Sequence, residues 1–436
     1  MLDLAYIRAH PEEVRKGMAN RQAEAPLDRI LEFDQRRRTL LTEAEALKAQ
    51  RNTVSREISQ MKDAAAREAK IAEMKAVGER INALDAQVRT EEEELQRLVS
   101  GLPNLPDPRV PVGRDESENV VVRTVGAPLQ FAFTPKAHWD LGPELGIIDF
   151  EQGVRLAGSR FYVLHRAGAR LQRALIAWML DLHTRQGYAE AYTPFMVRPE
   201  VLFGAGQLPK FADNLFHDEE DDMWMVPTAE VPLTGLHMGE IFEADRLPRW
   251  YTAYTPCFRR EKAAAGRDVR GIKRGQQFDK VEMYKFCRPE DSEAELERMV
   301  ADAEQTCRDL GLTHRVKQLC TGDLGFSARM TFDIEVWAPG CNEWLEVSSV
   351  SNCGDFQARR ANIRYRPARG AKPDFVHTLN GSGLGLPRTL IAVIENYQRE
   401  DGTIDVPEVL LPWMGGVRVI TRDALSASSA GSEHSQ

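Results

Sequence analysis

The sequence predicts an α+β protein, an N-terminal antiparallel two-helix coiled coil followed by an antiparallel sheet flanked by helices. Three observations carry that prediction. Two heptad seams run through the first quarter of the chain, a proline-rich break follows them, and strand-like and amphipathic helical segments mix beyond it. A chain of 436 residues has room for two or three domains. With 42% hydrophobic and 28% charged residues its composition is ordinary and globular, which excludes global disorder, collagen-like repeats and a disulfide scaffold.

The first seam is Ile30, Phe33, Arg37, Leu40, Ala44, Leu47, Arg51, Val54, Ile58 and Met61, spaced alternately by three and four. The second is Met74, Val77, Ile81, Leu84, Val88, Glu91, Leu95, Leu98 and Leu102. The Ala/Lys/Glu-rich stretch 63–70 between them is the expected turning point of a hairpin. A helix of about 37 residues is roughly 55 Å long, so residues 1–102 form a domain with a long arm. Pro103, Pro106, Pro108 and Pro111 cannot continue a helix, and 103–119 is expected to be a linker.

Residues 120–420 read as the globular domain. Trp224–Val226, Trp250–Phe258, Phe278–Phe286 and Thr331–Trp337 are strand-like; Ala169–Thr184 and Asp291–Leu310 are amphipathic helices. The acidic run Asp218–Asp222 reads as a solvated hairpin tip. The Ser/Ala/Gly-rich tail, 421–436, is expected to be disordered.

Charge restricts the partners. Lys+Arg number 57 against 66 Asp+Glu, a net −9, so any nucleic-acid contact must come from local basic patches. Six scattered cysteines without a Cys-x-x-Cys pair point to a reduced, cytoplasmic protein with no structural zinc. No apolar run is long enough to span a bilayer, and the N-terminus lacks a signal-peptide core.

Two motifs carry chemistry. The first is Phe258-Arg259-Arg260-Glu261, a basic Gly/Ala loop, then Arg274-Gly275-Gln276-Gln277-Phe278. An arginine at a strand end holds phosphate or carboxylate by a bidentate fork, and an aromatic on the returning strand stacks on a base. The second is Gly381-Ser382-Gly383-Leu384-Gly385-Leu386-Pro387-Arg388, read as a glycine-rich turn before a helical run from Thr389 to Gln398. The chain contains neither a P-loop nor a Rossmann glycine fingerprint.

Phe-Arg-x-Glu, Arg-x-x-x-Phe and Gly-x-Gly-x-Gly-x-x-Arg in that order resemble the class II aminoacyl-tRNA synthetases. Over nearly its whole length the chain resembles the seryl-tRNA synthetases of bacterial type. Gly204 to Phe211, Pro227 to Leu233, Glu346 to Ser349, Ser351 to Arg360, His377 to Gly383 and Glu395 to Gln398 agree with that family, as does the helical hairpin.

The resemblance implies activation of L-serine by ATP and transfer of serine to the 3′ end of tRNA(Ser), extending to tRNA(Sec) where that tRNA exists. It makes Arg259 and Arg388 the catalytic arginines. It puts Thr228, Ala229, Glu230, Glu282, Asn380 and Ser382 around serine. For ATP it implies Arg259, Arg260, Glu261, Gly275, Phe278, Glu346, Val347, Ser348, Ser349 and Arg388, with Glu346 and Ser349 holding Mg²⁺ through the nucleotide. It also implies that Arg36, Arg37, Arg38, Arg51, Arg56 and Lys62 on the arm meet the long variable arm of the tRNA. The helix from Ala169 with Gly187 to Pro194 resembles the motif that forms a homodimer. Neither chemical step demands a strongly perturbed base, and none is assigned.

The chain departs from the family at Lys262-Ala263-Ala264-Ala265, at Gln276 with Lys273-Arg274-Gly275 around it, and at Pro387; the resemblance implies that the departures before Pro387 lie near ATP and the tRNA acceptor end. Two other classes compete. A paralogue loading a carrier protein would lack the N-terminal arm, and a dead RNA-binding scaffold would have lost Arg259, Glu282 or Arg388; all are present.

Overall fold

The computed structural model describes residues 1–262 and 270–422. The chain divides into two compact units, Met1–Pro103 and Asn104–Gln436. The expected tail disorder falls largely, and the centre of the basic loop wholly, outside the described residues.

In the first unit, α1 (Leu27–Gln60) and α2 (Ala64–Ser100) form the hairpin. Ion pairs Arg36–Glu91, Arg80–Glu43 and Lys70–Glu57 run in opposite senses along the two helices, so they are antiparallel. The chain turns at residues 61–63, at the very start of the stretch 63–70 expected to turn. Asp63 is the reason: its carboxylate accepts from the Ala65 and Ala66 N–H groups at 2.9 and 3.2 Å and caps α2. The alanine run after it has the highest helix propensity and joins the helix. Ile30, Ala44 and Val54 pack against a seam that includes Met74, Ile81, Leu84 and Val88, all buried. Asp34, off the expected seam, is also buried and receives Arg8 and Arg38 at 3.0 Å each.

The second unit is built on an eight-stranded sheet. Its strands are β1 (Val120–Val125), β2 (Ala189–Glu190), β3 (Arg249–Phe258), β4 (Gln277–Cys287), β5 (His314–Gln318), β6 (Met330–Ala338), β7 (Glu343–Gly354) and β8 (His377–Gly385). Their order is β1-β5-β6-β7-β8-β4-β3-β2, antiparallel throughout except for the parallel β2–β3 pair. Three helices flank it: α3 (Arg166–Arg185), α4 (Ser292–Asp309) and α5 (Leu386–Asn396). On α3, Leu171, Leu175, Trp178, Met179 and Leu182 form one buried stripe at helical spacing. Nearly all of α5 is buried.

Two expectations are corrected. The proline-rich stretch is docked along this unit and is no free linker: Asn104 Nδ2 donates to the Ser327 and Cys353 carbonyls at 2.9 and 2.8 Å, and Arg329 pairs with Asp107 at 3.1 Å. The glycine-rich run is strand β8, no turn. Gly383 answers crowding: a Cβ there would lie 2.1 Å from His183 Nε2. The helix then starts at Leu386, with Pro387 in its first turn where no N–H is needed. The acidic tip joins His217–Asp218 to Met223–Met225 and is exposed, as expected.

Candidate active site

A cavity of about 340 Å³ opens on the sheet, lined by residues of β4, β7 and β8, the start of α5 and the loops before and after β3. Side chains on a strand alternate faces, so Phe278, Lys280 and Glu282 of β4 share one side. Glu282 faces Ser382 across the β4–β8 ladder beside a register shift at Val281/Glu282, and a second shift lies at Ile334/Glu335, opposite Glu346. Such irregularities re-aim side chains next to a site.

One end is polar and deep. Glu282 is fully buried just beneath the lining and ion-paired to Lys280. Thr228 Oγ1 donates to Glu282 Oε2 at 3.3 Å, and Asn380 Nδ2 lies 3.5 Å from Oε1. Glu230 receives Gln357 Nε2 at 2.6 Å. Burial first, and then the charge of Glu282, push the Glu230 carboxyl up to about 7. This end of the cavity thus sets two carboxylates, Glu230 and Glu282, beside the hydroxyl of Thr228 and the amide of Asn380.

The other end is cationic and aromatic. The Arg259 guanidinium lies 5.0 Å from the Phe278 ring centroid, and its Nε donates to the Pro227 carbonyl at 3.1 Å. Arg388 Nη1 donates to the Glu346 carbonyl at 2.9 Å and pairs with Glu346 Oε2 at 3.3 Å. Glu261 sits at φ 51°, a left-handed conformation that costs about 1 kcal/mol or more in a non-glycine residue, and pairs with Arg274 at 3.4 Å. Glu346 and Ser349 line the same end, as do Val347 and Gly275. Next to them Asp333 Oδ1 is buried without a hydrogen-bond partner. Burial, then the Glu346 charge, hold the Asp333 carboxyl well above the usual range. An orphaned carboxylate oxygen beside Glu346 and Ser349 is an oxygen-rich set that suits a hard cation.

The fold therefore brings together Thr228, Glu230, Arg259, Glu261, Gly275, Phe278, Glu346, Val347, Ser349, Asn380, Ser382 and Arg388. Glu282 lies just beneath that lining, and three further expected residues stand off the cavity. Arg260 turns outward, its Nε donating to the Leu215 carbonyl at 2.8 Å and its guanidinium 4.4 Å from the Phe216 ring. Ser348, one position along β7 from Ser349, faces away and donates to the Ser382 carbonyl at 2.6 Å. Ala229 packs in an apolar cluster with Leu233 and Tyr284. Lys273, of the loop expected near ATP, lines the cavity, and Lys280 and Gln357 join the site unforeseen. Lys280 stands two positions before Glu282 on one strand and was accessible by alternation, whereas the role of Gln357 depends on tertiary neighbours.

On the arm, Arg36 is held by Glu32 and Glu91, Arg37 by Asp34 and Glu92, and Arg38 by Asp34. Among the described residues Arg51, Arg56 and Lys62, nearer the turn, have no ion-pair partner.

Comparison with known proteins agrees with this geometry. Residues 1–106 match the seryl-tRNA synthetase N-terminal domain, and residues 211–397 match the class II tRNA synthetase core domain (G, H, P, S and T). A serine--tRNA ligase of Roseiflexus sp. (strain RS-1) is 63% identical over 423 residues, covering 97% of this chain and 100% of the relative. The crystal structure of seryl-tRNA synthetase from Pyrococcus horikoshii complexed with ATP superposes with a TM-score of 0.91 at 37% identity, covering 97% of this chain and 99% of that one. A cytoplasmic serine-tRNA ligase from Naegleria fowleri in complex with AMP gives a TM-score of 0.85 at 31% identity, with 97% and 99% coverage. With both halves matched and such identity over almost the entire length, the chain belongs to the seryl-tRNA synthetase family of class II aminoacyl-tRNA synthetases.

Proposed function

We propose that this cavity binds L-serine at its deep carboxylate end and ATP at its arginine end, and that serine is activated there before its transfer to tRNA(Ser). The observation that carries the reading is the lining of one cavity by Thr228, Glu230, Arg259, Phe278, Ser349 and Arg388. Glu230 and Thr228 take the ammonium; Glu282, Asn380 and Ser382 serve the hydroxyl. A serine carboxylate oxygen attacks the α-phosphorus, and pyrophosphate leaves. Arg259, fixed by Pro227 and Phe278, stabilises the charge that develops on the phosphoryl oxygens without reorganising. A hydroxyl of the terminal adenosine then attacks the acyl carbon, AMP leaves, and positioning carries both steps.

Glu346 and Ser349 are the residues that would hold Mg²⁺, and the orphaned Asp333 oxygen beside them fits that assignment. Bound there, the ion neutralises phosphate charge. Arg51, Arg56 and Lys62 are the arm cations available to tRNA backbone, a readout of shape that takes in tRNA(Sec) equally. Exposed Val154, Leu156 and Tyr192, at 53%, 78% and 85%, are apolar surface that a second copy of the chain would cover in a homodimer. Free thiols at all six cysteines suit a reducing compartment, the cytoplasm. No helix among the described residues is long and apolar enough to cross a membrane. Amino-acid-dependent ATP–pyrophosphate exchange, run across the amino acids and followed by tRNA charging, tests the reading; exchange that does not depend on serine contradicts it.

A further inference from the structure

Behind the cavity lies a largely buried cluster, with Cys341 half-buried, that the chemistry above does not use. His138 opens the short helix His138–Glu144, Glu395 stands near the end of α5, and Cys341 lies between β6 and β7. His138 and Glu395 are fully buried. Glu395 Oε1 accepts the His138 backbone N–H at 2.9 Å and lies 2.8 Å from Nδ1 and 3.1 Å from Cys341 Sγ. Glu395 Oε2 accepts the Cys341 N–H at 2.9 Å. On the far side of the ring, the Ile272 N–H donates to His138 Nε2 at 3.2 Å.

That last bond sets the tautomer. A backbone N–H can only donate, so Nε2 presents a lone pair and the proton is on Nδ1, donated to Glu395. The potential ligand atoms of His138, Cys341 and Glu395 lie within 4.8 Å of one another, a spacing a metal ion would accept. Both ring nitrogens are already committed, however, and Glu395 already accepts from backbone and side-chain donors. The cluster is a closed hydrogen-bonded clamp.

Its position gives it consequence. Ile272 is buried, and the next three residues, Lys273, Arg274 and Gly275, line the nucleotide end of the cavity. Gly271 has φ +72°, and a Cβ on it would lie 2.0 Å from His138 Nε2, so the backbone passes directly against the ring. Glu395 shares α5 with Arg388. Glu343, at the start of β7 just beyond Cys341, is ion-paired with Lys273.

We propose that His138, oriented by Glu395, is a positioning residue for adenylate formation, fixing the Ile272 backbone so that Lys273, Arg274 and Gly275 stand where ATP phosphates bind. The inference rests on the reading that this cavity takes ATP.

The test compares the full chain with His138→Ala, which loses both ring contacts, and His138→Gln, whose amide oxygen can still accept from Ile272. In serine-dependent pyrophosphate exchange, His138→Ala should raise KM for ATP about tenfold, roughly the loss of one buried hydrogen bond. KM for serine and kcat at saturating ATP should stay within about twofold, and His138→Gln should recover most of the loss. Hydrogen exchange of the Ile272 amide should accelerate in His138→Ala and slow again in His138→Gln. If His138→Ala fails to fold, Gly271→Ala, which pushes the loop off the ring, should show the same selective rise in KM for ATP. Faster Ile272 exchange with unchanged KM for ATP, or equal losses in the serine and ATP constants, overturns the positioning role. Absence of serine-dependent exchange in the unsubstituted chain would overturn the reading of the cavity instead, while Ile272 exchange still reports on the clamp.

Discussion

Gln357 Nε2 lies 2.6 Å from Glu230 Oε1, and the orientation of that amide is fixed from behind. Its carbonyl oxygen accepts from the Tyr284 hydroxyl at 3.0 Å and the Thr378 hydroxyl at 2.7 Å, so only the NH₂ remains for Glu230. The donor favours the carboxylate, yet burial and Glu282 still push Glu230 up to about 7. An arriving ammonium needs the ionised form.

Serine binding should therefore weaken in mild acid. Below about pH 7 the ionised fraction of Glu230 falls, approaching tenfold per pH unit, and KM for serine should rise with it while kcat at saturation changes little. Glu230→Gln should weaken serine binding by about 100-fold or more and flatten the profile. Pyrophosphate exchange between pH 5.5 and 8 checks this, and a KM for serine independent of pH would contradict it.

The hydroxyl end should discriminate strongly. Glu282 is buried among Lys280, Thr228 and Asn380, and an amino acid without a hydroxyl would leave polar groups there unpaired. Exchange should be strongest with serine and weaker with threonine. With alanine kcat/KM should be lower by roughly 10⁴-fold, the scale for sites built around a hydroxyl. Equal activity with alanine would refute the assignment.

Arg259→Lys keeps the charge but loses the planar fork and the Nε bond to the Pro227 carbonyl. Adenylate formation should fall about 10²-fold, as when a preorganised transition-state donor is removed. Near-normal exchange would remove Arg259 from this role.

How much of this was legible depended on whether the cause was local. The arm could be read because a heptad is a periodic signal, and β3, β4 and β6 because β-rich runs bounded by loops are. Asp34 escaped because an acid beside a seam reads as solvated; its burial depends on Arg8, 26 residues away. The β8 glycines read as a turn, whereas the crowding that demands Gly383 comes from His183, 200 residues distant. The clamp was invisible for the same reason: His138 meets Glu395 across 257 positions. The resemblance located most of the cavity lining, but could not show that Arg260 and Ser348 face away.

The last prediction separates two sets of arm cations that sequence placed together. Arg38 is tied to Asp34, whose side chain is only 1% exposed, and Arg8 and Arg37 share that carboxylate. Burial alone would raise the Asp34 carboxyl, yet its arginine partners hold it below the ordinary range. Its stabilisation is thus present at neutral pH and lost as pH falls through the lowered pKa. Arg38→Ala should act on folding, costing about 1–3 kcal/mol by leaving the buried carboxylate short of a partner. Arg51, Arg56 and Lys62 are not occupied in this way. Replacing all three with Ala should leave the melting temperature and serine-dependent pyrophosphate exchange nearly unchanged while weakening tRNA binding. It should also flatten the salt dependence of binding, by up to about three in the log–log slope, because fewer counterions are released. Deleting residues 27–102 should go further, abolishing tRNA charging while exchange persists, since the proposed serine and ATP contacts all lie at or beyond Thr228. Filter binding across a salt series, thermal melts and the two activity assays measure these effects separately. A triple variant that charges and binds tRNA like the unsubstituted chain would leave these residues as solvated coiled-coil flank, and tRNA binding lost only with Arg36 and Arg38, at unchanged stability, would return the contact to the paired arginines.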